Sequence, residues 1–313
     1  FDPSSRIARC SHEAPCRTYM HHAYKLSCTL HRRLSVSEDA EVPRRPPAPQ
    51  PPKTRKPVHA VARTKLMPTE DEKLLASYDP TRFDRPSVTV DVAILSVVGE
   101  RLVTLLHRRE NAPFRGHLAL PGGFLQMDES LEAAARRVLL AKAGLRDVYL
   151  EQLYTFGAVH RDPRMRILTV AYFALVDASR ITVRHEASLP ERTLAEITVP
   201  WAGETGGAIE VQIESARTPE SLAFDHQAIL GMAVKRLRGK LDYTPIGFQL
   251  LPDVFTLASL QRVHETILGR PLNKDSFRRR MLASGQLEAT GELESGVDHR
   301  PAELYRFTRL SAV

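Results

Sequence analysis

Cysteine is nearly absent from this chain: of 313 residues only Cys10, Cys16 and Cys28 are cysteines, and none follows them. That leaves no disulfide framework or thiol chemistry for anything downstream, as suits a reducing cytoplasm. Long apolar runs are lacking as well. No stretch approaches the roughly 18 residues that suggest a membrane span, so membrane insertion is set aside. Beyond its first 66 residues the chain also lacks any overall charge excess. Residues 1–66 hold 13 Lys and Arg against 5 Asp and Glu, whereas the rest holds 31 against 32. The overall +7 therefore says little about partners. Its distribution says more, because residues 233–313 carry 13 basic side chains against 9 acidic ones, while 67–232 are net acidic. A basic C-terminal module on an acidic body is a modest pointer to DNA.

Residues 1–66 include RRPPAPQPPKTRKP, whose closely spaced prolines and cations leave little apolar area to bury. Disorder is the physical default for such a tail. An artificially extended reading frame is the favoured explanation, since Met67 opens an ordinary acidic stretch, PTEDEKLLASYD. A genuine basic tail and a transit peptide starting near Met20 are the rivals. Residues 67–85 are then an N-terminal segment.

From Ser87 the pattern is α+β. SVTVDVAILSVV first alternates and then turns continuously apolar, as a strand entering a core does, and RLVTLLHRR follows as a hairpin partner. HLALPGGFL supplies a short strand and a Pro-Gly-Gly turn. Ser130 to Ala143 is expected to be a helix, with Asp128 or Ser130 at its start and Gly144 closing it. VYLEQLYTFG and RILTVAYFALV read as strands joined by the loop HRDPRMR, and EVQI as another. A long helix is expected from Pro219 to about Leu237, its end loaded with Lys235, Arg236 and Arg238. Beyond it Thr256 can cap a helix that Gly269 ends, Asn273 or Asp275 can cap KDSFRRRMLASG, and LEATGE and LYRFTRL follow. Helix, short turn, helix and a two-stranded wing is a winged-helix pattern.

Another absence is more specific. In GGFLQMDESLEAAARRVLLAKAGL, Gly122 to Leu145, the residues Gly123, Glu129, Arg137, Leu139, Gly144 and Leu145 fall on the frame G-x5-E-x7-R-E-U-x-E-E-x-G-U, where U is bulky and aliphatic. The segment thus resembles a Nudix box. The three glutamates that should follow Arg137 are instead Val138, Ala141 and Lys142. In Nudix enzymes such glutamates hold the magnesium used in pyrophosphate hydrolysis, because magnesium wants hard oxygen ligands in octahedral geometry. Spacings of three and four gather these positions on one helix side. Here that side offers a branched alkyl, a methyl and an ammonium, none of which ligates magnesium. Glu129 and Glu132 survive, the first at the box's outer position and the second off the pattern. The resemblance therefore implies sensing rather than cleavage: no catalytic residue, no metal and no required cofactor, with Mg2+ relevant only to residual hydrolysis.

The likeness continues outside the box. RGHLALPGGFL looks like the strand entering Nudix boxes, and HRDPR resembles a loop of ADP-ribose pyrophosphatase relatives. The stretch YTPIGFQLLPDVFTLASLQRVHETILGRPLNKDSFRRRMLASGQLEATGE, with HRPAELYRF, resembles the C-terminal winged helix of the NrtR family, Nudix-related transcriptional regulators of NAD metabolism. The resemblance covers about residues 85–310. It implies a Nudix α/β/α sandwich with a mixed sheet over 86–218, a linker helix over 219–240 and a winged helix-turn-helix domain over 241–313. It further implies a homodimer that binds a double-stranded DNA operator and is usually released by ADP-ribose or a related nucleotide. The alternative is a Nudix hydrolase of the ADP-ribose pyrophosphatase type with an appended winged helix.

Candidate effector residues are Arg115, Gly122, Gly123, Phe124, Glu129, Arg137, Arg161, Asp162 and Arg164, and Arg166 is a further phosphate grip beside Arg161 and Arg164. Candidate DNA-binding residues are Asn273, Lys274, Ser276, Arg278, Arg279 and Arg300. In KDSFRRRML, Phe277, Met281 and Leu282 make a buried side, which points Lys274, Ser276, Arg278 and Arg279 at a major groove. His299 and Arg300 mark the wing tip. His264 reads as a structural residue facing the helix surface, and Trp201 as core or interface.

Overall fold

The alternation of one strand decides the architecture. In the computed structural model, which describes residues 69–181, 191–216, 218–298 and 300–308, strand β1 (Ser87–Val98) is buried on both faces. Successive side chains of a strand point to opposite sides, so two-sided burial demands a layer on each. Val90, Val92 and Ile94 pack with Ala134, Ala135 and Val138 of helix α2 (Leu131–Val138). Ala93, Leu95 and Val97 share the opposite core with Ile229, Leu230, Ala233, Val234 and Leu237 of helix α3 (His226–Lys240). The result is the expected sandwich. Ahead of it, α1 (Glu70–Ser77) buries no residue. The readings made for residues 1–66 lie outside the described residues.

The sheet between these layers is mixed. β2 (Arg101–Arg108) pairs antiparallel with β1, and β3 (Leu118–Ala119) and β4 (Gly122–Phe124) attach to β2 and β1. β5 (Tyr149–Phe156), β6 (Ile167–Leu175), β7 (Arg192–Thr198) and β8 (Glu210–Ile213) complete the order β5-β6-β1-β2-β7-β8. Only β1 and β6 run parallel among these pairs. β7 is a strand that the sequence pattern does not announce: RTLAEIT is rich in helix formers. Pairing with β2 on one side and β8 on the other overrides that preference.

Two helices depart from expectation. The helix over Ser130 to Ala143 is α-helical only to Val138, and Leu139–Ala143 forms a π turn. Ser130 caps it by accepting the Ala133 N–H at 3.2 Å. Gly144 at φ 70 closes the π turn, and Arg192 from β7 donates to the Ala143 carbonyl at 2.9 Å. A single widened turn leaves no mark on side-chain periodicity. The helix expected from Pro219 begins at His226. Residues 222 and 223 serve β3 instead: Leu222 bridges Leu118, and the Ala223 N–H donates to the Leu118 carbonyl at 2.8 Å.

The cations at the end of α3 are structural rather than solvated. Arg236 and Lys240 reach Glu151 on β5 at 3.4 and 2.6 Å. Arg238 is buried, and its guanidinium donates to the carbonyls of Ile267 and Trp201, each at 2.7 Å. It also lies 4.7 Å from the half-buried Trp201 ring. Ile267 belongs to α4 (Leu257–Leu268), which shares the core under α3 through Val263 and Ile267.

The C-terminal module follows its sequence signals closely at the caps. Thr256 accepts the Ser259 N–H at 3.0 Å while Ser259 accepts the Thr256 N–H at 3.1 Å, and Gly269 at φ 66 ends α4. Asn273 caps α5 (Lys274–Ala283) by accepting the Ser276 N–H at 3.0 Å. The wing is the two-stranded pair of β10 (Leu287–Leu293) and β11 (Glu303–Phe307), and β9 (Val254–Thr256), ahead of α4, adds to β11 as a third strand of the sheet. Phe277 is buried with Phe248, Phe255, Leu257, Leu260 and Tyr305. Leu282 is not: it is 44% exposed, since a spacing of five from Phe277 carries it around the helix. His264 is buried rather than surface-facing, its Nδ1 2.9 Å from the Leu260 carbonyl and its ring edge-on to Phe277.

Arg238→Met keeps the stem of the side chain but strands two buried carbonyls. Urea unfolding is expected to show a loss of about 2–4 kcal/mol. A loss within about 0.5 kcal/mol, the range of ordinary surface substitutions, would show that water satisfies those carbonyls.

Candidate functional site

Six parts of the chain converge on one cavity. Asp91 comes from β1, His107 and Arg109 from the end of β2, and Gly122, Gly123 and Phe124 from β4. Lys142 enters from the π turn, Arg161, Asp162 and Arg164 from the loop before β6, and Phe224 and His226 from the start of α3. Of the expected effector residues, Gly122, Gly123, Phe124, Arg161, Asp162 and Arg164 thus come together.

Arg115, Glu129 and Arg137 do not. Arg115 is exposed in a turn away from the cavity lining. Glu129 and Arg137 hold each other, with the Arg137 guanidinium donating to both carboxylate oxygens at 2.9 and 2.5 Å. The same guanidinium donates to the Phe124 carbonyl at 2.9 Å, and Glu129 accepts the Gln126 N–H at 2.8 Å. Those bonds from Arg137 hold the Glu129 carboxyl down to about 2. The pair is a clamp that folds the loop 124–129 onto α2. Arg166 likewise turns away, donating to the carbonyls of Gly157 and Ala158 at 2.8 and 2.9 Å.

Inside the cavity most charge is already matched. Arg161 is buried and donates two-pronged to Asp225 at 2.8 and 2.6 Å, with Asp91 3.5 Å away. Arg164 grips Asp162 at 3.0 and 2.8 Å and lies over the rings of Phe124 and Phe224 at 5.7 and 5.9 Å. Arg109 stands over Phe224 at 4.8 Å and donates to the Pro113 carbonyl at 2.9 Å. Phe224 holds φ at 55, a backbone conformation costly for a residue with a Cβ, which places its ring between two arginines. Gly122 has a steric reason: a Cβ there would come within 2.0 Å of Asp91 Oδ1.

Two histidines are held neutral. His226 accepts the Leu120 N–H on Nδ1 at 3.0 Å and faces Asp91 at 3.7 Å, and burial lowers its pKa. Burial, then Lys142, His226 and Arg109, hold His107 down to about 3. His107 Nδ1 is buried without a hydrogen-bond partner. None of Asp91, His107, Arg109, Phe224, Asp225 or His226 carries a local motif, so sequence reading passes over them.

The residues present do not fit magnesium. Val138 is buried 3.4 Å from where a Cβ of Gly123 would sit, Ala141 is exposed, and Lys142 brings an ammonium to the cavity. Of the three box positions, then, Val138 is packed beside Gly123, Ala141 faces solvent and Lys142 alone lines the cavity. Among the described residues no group of three His, Cys, Asp or Glu side chains could hold a metal ion.

In the C-terminal module, Lys274, Ser276, Arg278 and Arg279 are exposed on α5, as is Arg300 near the wing. The Asn273 carboxamide oxygen is occupied by its cap. Arg280 lies 3.7 Å from Asp242. His299 lies outside the described residues.

Residues 86–201 match the family described as NUDIX domain, and residues 247–307 the one described as NrtR DNA-binding winged helix domain. A protein of Acinetobacter baylyi named ADPR responsive transcriptional repressor NtrR is 39% identical over 243 residues, spanning 76% of this chain and 89% of that one. The chain belongs to the NrtR family. Solved structures agree with this. NrtR of Shewanella oneidensis complexed with a 27mer DNA is 33% identical, with a TM-score of 0.58 over 71% of this chain and 93% of that one. A MutT/nudix family protein from Enterococcus faecalis is 25% identical, with a TM-score of 0.63 over 77% and 94%. In this NrtR-family chain the box has kept its clamp and its glycines and exchanged its metal ligands.

Burial lowers the pKa of His107, His226 and His264 below the ordinary histidine value. As pH falls below about 6.5, the unfolded chain takes up protons that the folded protein refuses. Stability is therefore fully present near neutrality and is lost downward, by up to about 1.4 kcal/mol per pH unit for each histidine. Denaturant unfolding at pH 7, 6 and 5 measures this. A flat profile would mean that the rings accept protons in place.

Proposed function

We propose that this protein is an effector-responsive transcription repressor of NAD-metabolism genes. Its winged helices grip an operator as a homodimer, and its Nudix domain binds ADP-ribose or a close relative without cleaving it, which releases the DNA. The observation that carries this reading is the presence in one chain of a cation-lined Nudix cavity without metal ligands and a winged helix with a basic exposed face. The name of the Acinetobacter relative and the DNA in the Shewanella structure support it. Lys274, Ser276, Arg278 and Arg279 are all exposed on α5, where base edges and phosphates of a major groove would meet them. A two-fold operator calls for two copies, so the dimer belongs to the same proposal. Among the described residues no helix is long and apolar enough to cross a membrane, in keeping with a cytoplasmic site of action.

Helix α3 supplies the link between effector and DNA. Asp225, which binds Arg161 in the cavity, immediately precedes it, and Arg238 near its other end holds α4. A phosphate that draws on Arg161 weakens its hold on Asp225 and so bears on the helix that carries the winged domain.

Fluorescence anisotropy with duplexes from the gene's own upstream region tests the proposal. Specific, salt-dependent binding is expected, reversed by ADP-ribose. Arg278→Ala with Arg279→Ala is expected to weaken operator binding about 100-fold or more. The reading fails if no duplex is bound specifically or if ADP-ribose leaves affinity unchanged. Magnesium-dependent release of AMP from ADP-ribose would favour the hydrolase. Asp225→Asn is expected to bind the operator normally while the effect of ADP-ribose on it shrinks about 5-fold or more. An undiminished effect would take Asp225 out of the link.

A further inference from the structure

The charge of the cavity is uneven in a way that points to its ligand. Four cations line it, Arg109, Lys142, Arg161 and Arg164, against the carboxylates of Asp91 and Asp162. Arg161 and Arg164 are each held two-pronged, by Asp225 and Asp162. Arg109 spends its bonds on the uncharged carbonyls of Pro113 and Asn111. Lys142 has no hydrogen bond or ion pair with any described residue. Two cations that make no ion pair with a carboxylate of the described residues therefore face one space, where a complete Nudix box would bring glutamates and a divalent ion.

A second observation marks the same space. His107, in the cavity lining, holds its Nδ1 buried and without a hydrogen-bond partner. A buried ring nitrogen without a partner is costly, and in a ligand cavity it asks for a hydrogen bond from the ligand. Burial, and then Lys142, oppose protonation of this ring. The matching group is a hydroxyl, of the kind a sugar carries.

We infer that Lys142 takes the place of the divalent cation: the cavity binds the diphosphate of a nucleotide sugar directly, with Lys142 and Arg109 as its counter-charges and no metal ion. The two ionised phosphates of a diphosphate diester match the two unpaired cations in number. An ammonium is a compact point charge with three donors, suited to the oxygens that a metal would otherwise bridge. His107 Nδ1 then finds its hydrogen-bond partner in a hydroxyl of the attached sugar. The exchange of three glutamates for a branched alkyl, a methyl and an ammonium thus changes how the anion is neutralised, besides removing hydrolysis. This rests on the effector reading above and names the chemistry of its site.

Isothermal titration of the full chain with ADP-ribose, in EDTA and again in excess magnesium, tests it. Wild type is expected to bind with the same affinity, within about twofold, in both. Lys142→Met is expected to bind about 10- to 100-fold more weakly in EDTA, the loss of one charge-assisted hydrogen bond, with no rescue by magnesium. Lys142→Arg, which keeps the charge, is expected to retain most of the affinity, and thermal melting of each variant without ligand checks that it folds. Inorganic pyrophosphate is expected to compete in EDTA. The inference is overturned if wild type needs magnesium to bind, or if folded Lys142→Met binds as tightly as wild type. Failure of ADP-ribose to bind under either condition overturns the effector reading as well.

Discussion

Helix α3 packs one core against both the sheet and helix α4, and the rest of the molecule is arranged around that constraint. Ile229, Leu230, Ala233, Val234 and Leu237 lie in the core under one face of the sheet, and the same cluster takes in Val263 and Ile267 of α4. Packed interiors are as dense as organic crystals, so such a helix moves as a body or not at all. Its two ends are fastened by guanidinium groups. Arg161 holds Asp225 at the start, and Arg238 binds Ile267 and Trp201 at the finish. The cavity and the winged domain therefore share one rigid element, with His226 its first residue and Arg236 and Lys240 tying its far end to β5.

The same economy of charge shapes the cavity. Carboxylates there do not gather into a metal site, since each of Asp91, Asp162 and Asp225 faces an arginine. Gly122 leaves room for Asp91, and Phe224 accepts a strained backbone to lie between Arg109 and Arg164. What remains unmatched is positive, which is what an anionic nucleotide requires.

Local rules were readable wherever the cause was local. Ser130, Thr256 and Asn273 cap helices because a side-chain oxygen can reach an orphan N–H a few residues on. Gly144 and Gly269 close helices because only glycine enters the left-handed region cheaply. β1 announced two-sided burial through its own residues. β7 and the π turn did not announce themselves, since partners remote in sequence decide both: β2 and β8 for the strand, and, at the end of the turn, the Arg192 side chain on the Ala143 carbonyl.

The sequence by itself determined the two-domain order, the helix caps, the degenerate box and the basic face of α5, because each is a short-range pattern of residue types. Only the tertiary structure decided which arginines are spoken for. Arg161 and Arg115 look equally available in a string of letters, yet one is buried against Asp225 and the other lies in solvent. Glu129 and Arg137 close a loop on each other, and His107, Arg109 and Phe224 line the cavity without a signal in the sequence. Electrostatic pairing depends on distances of a few ångströms between residues far apart in the chain. No local pattern contains that information.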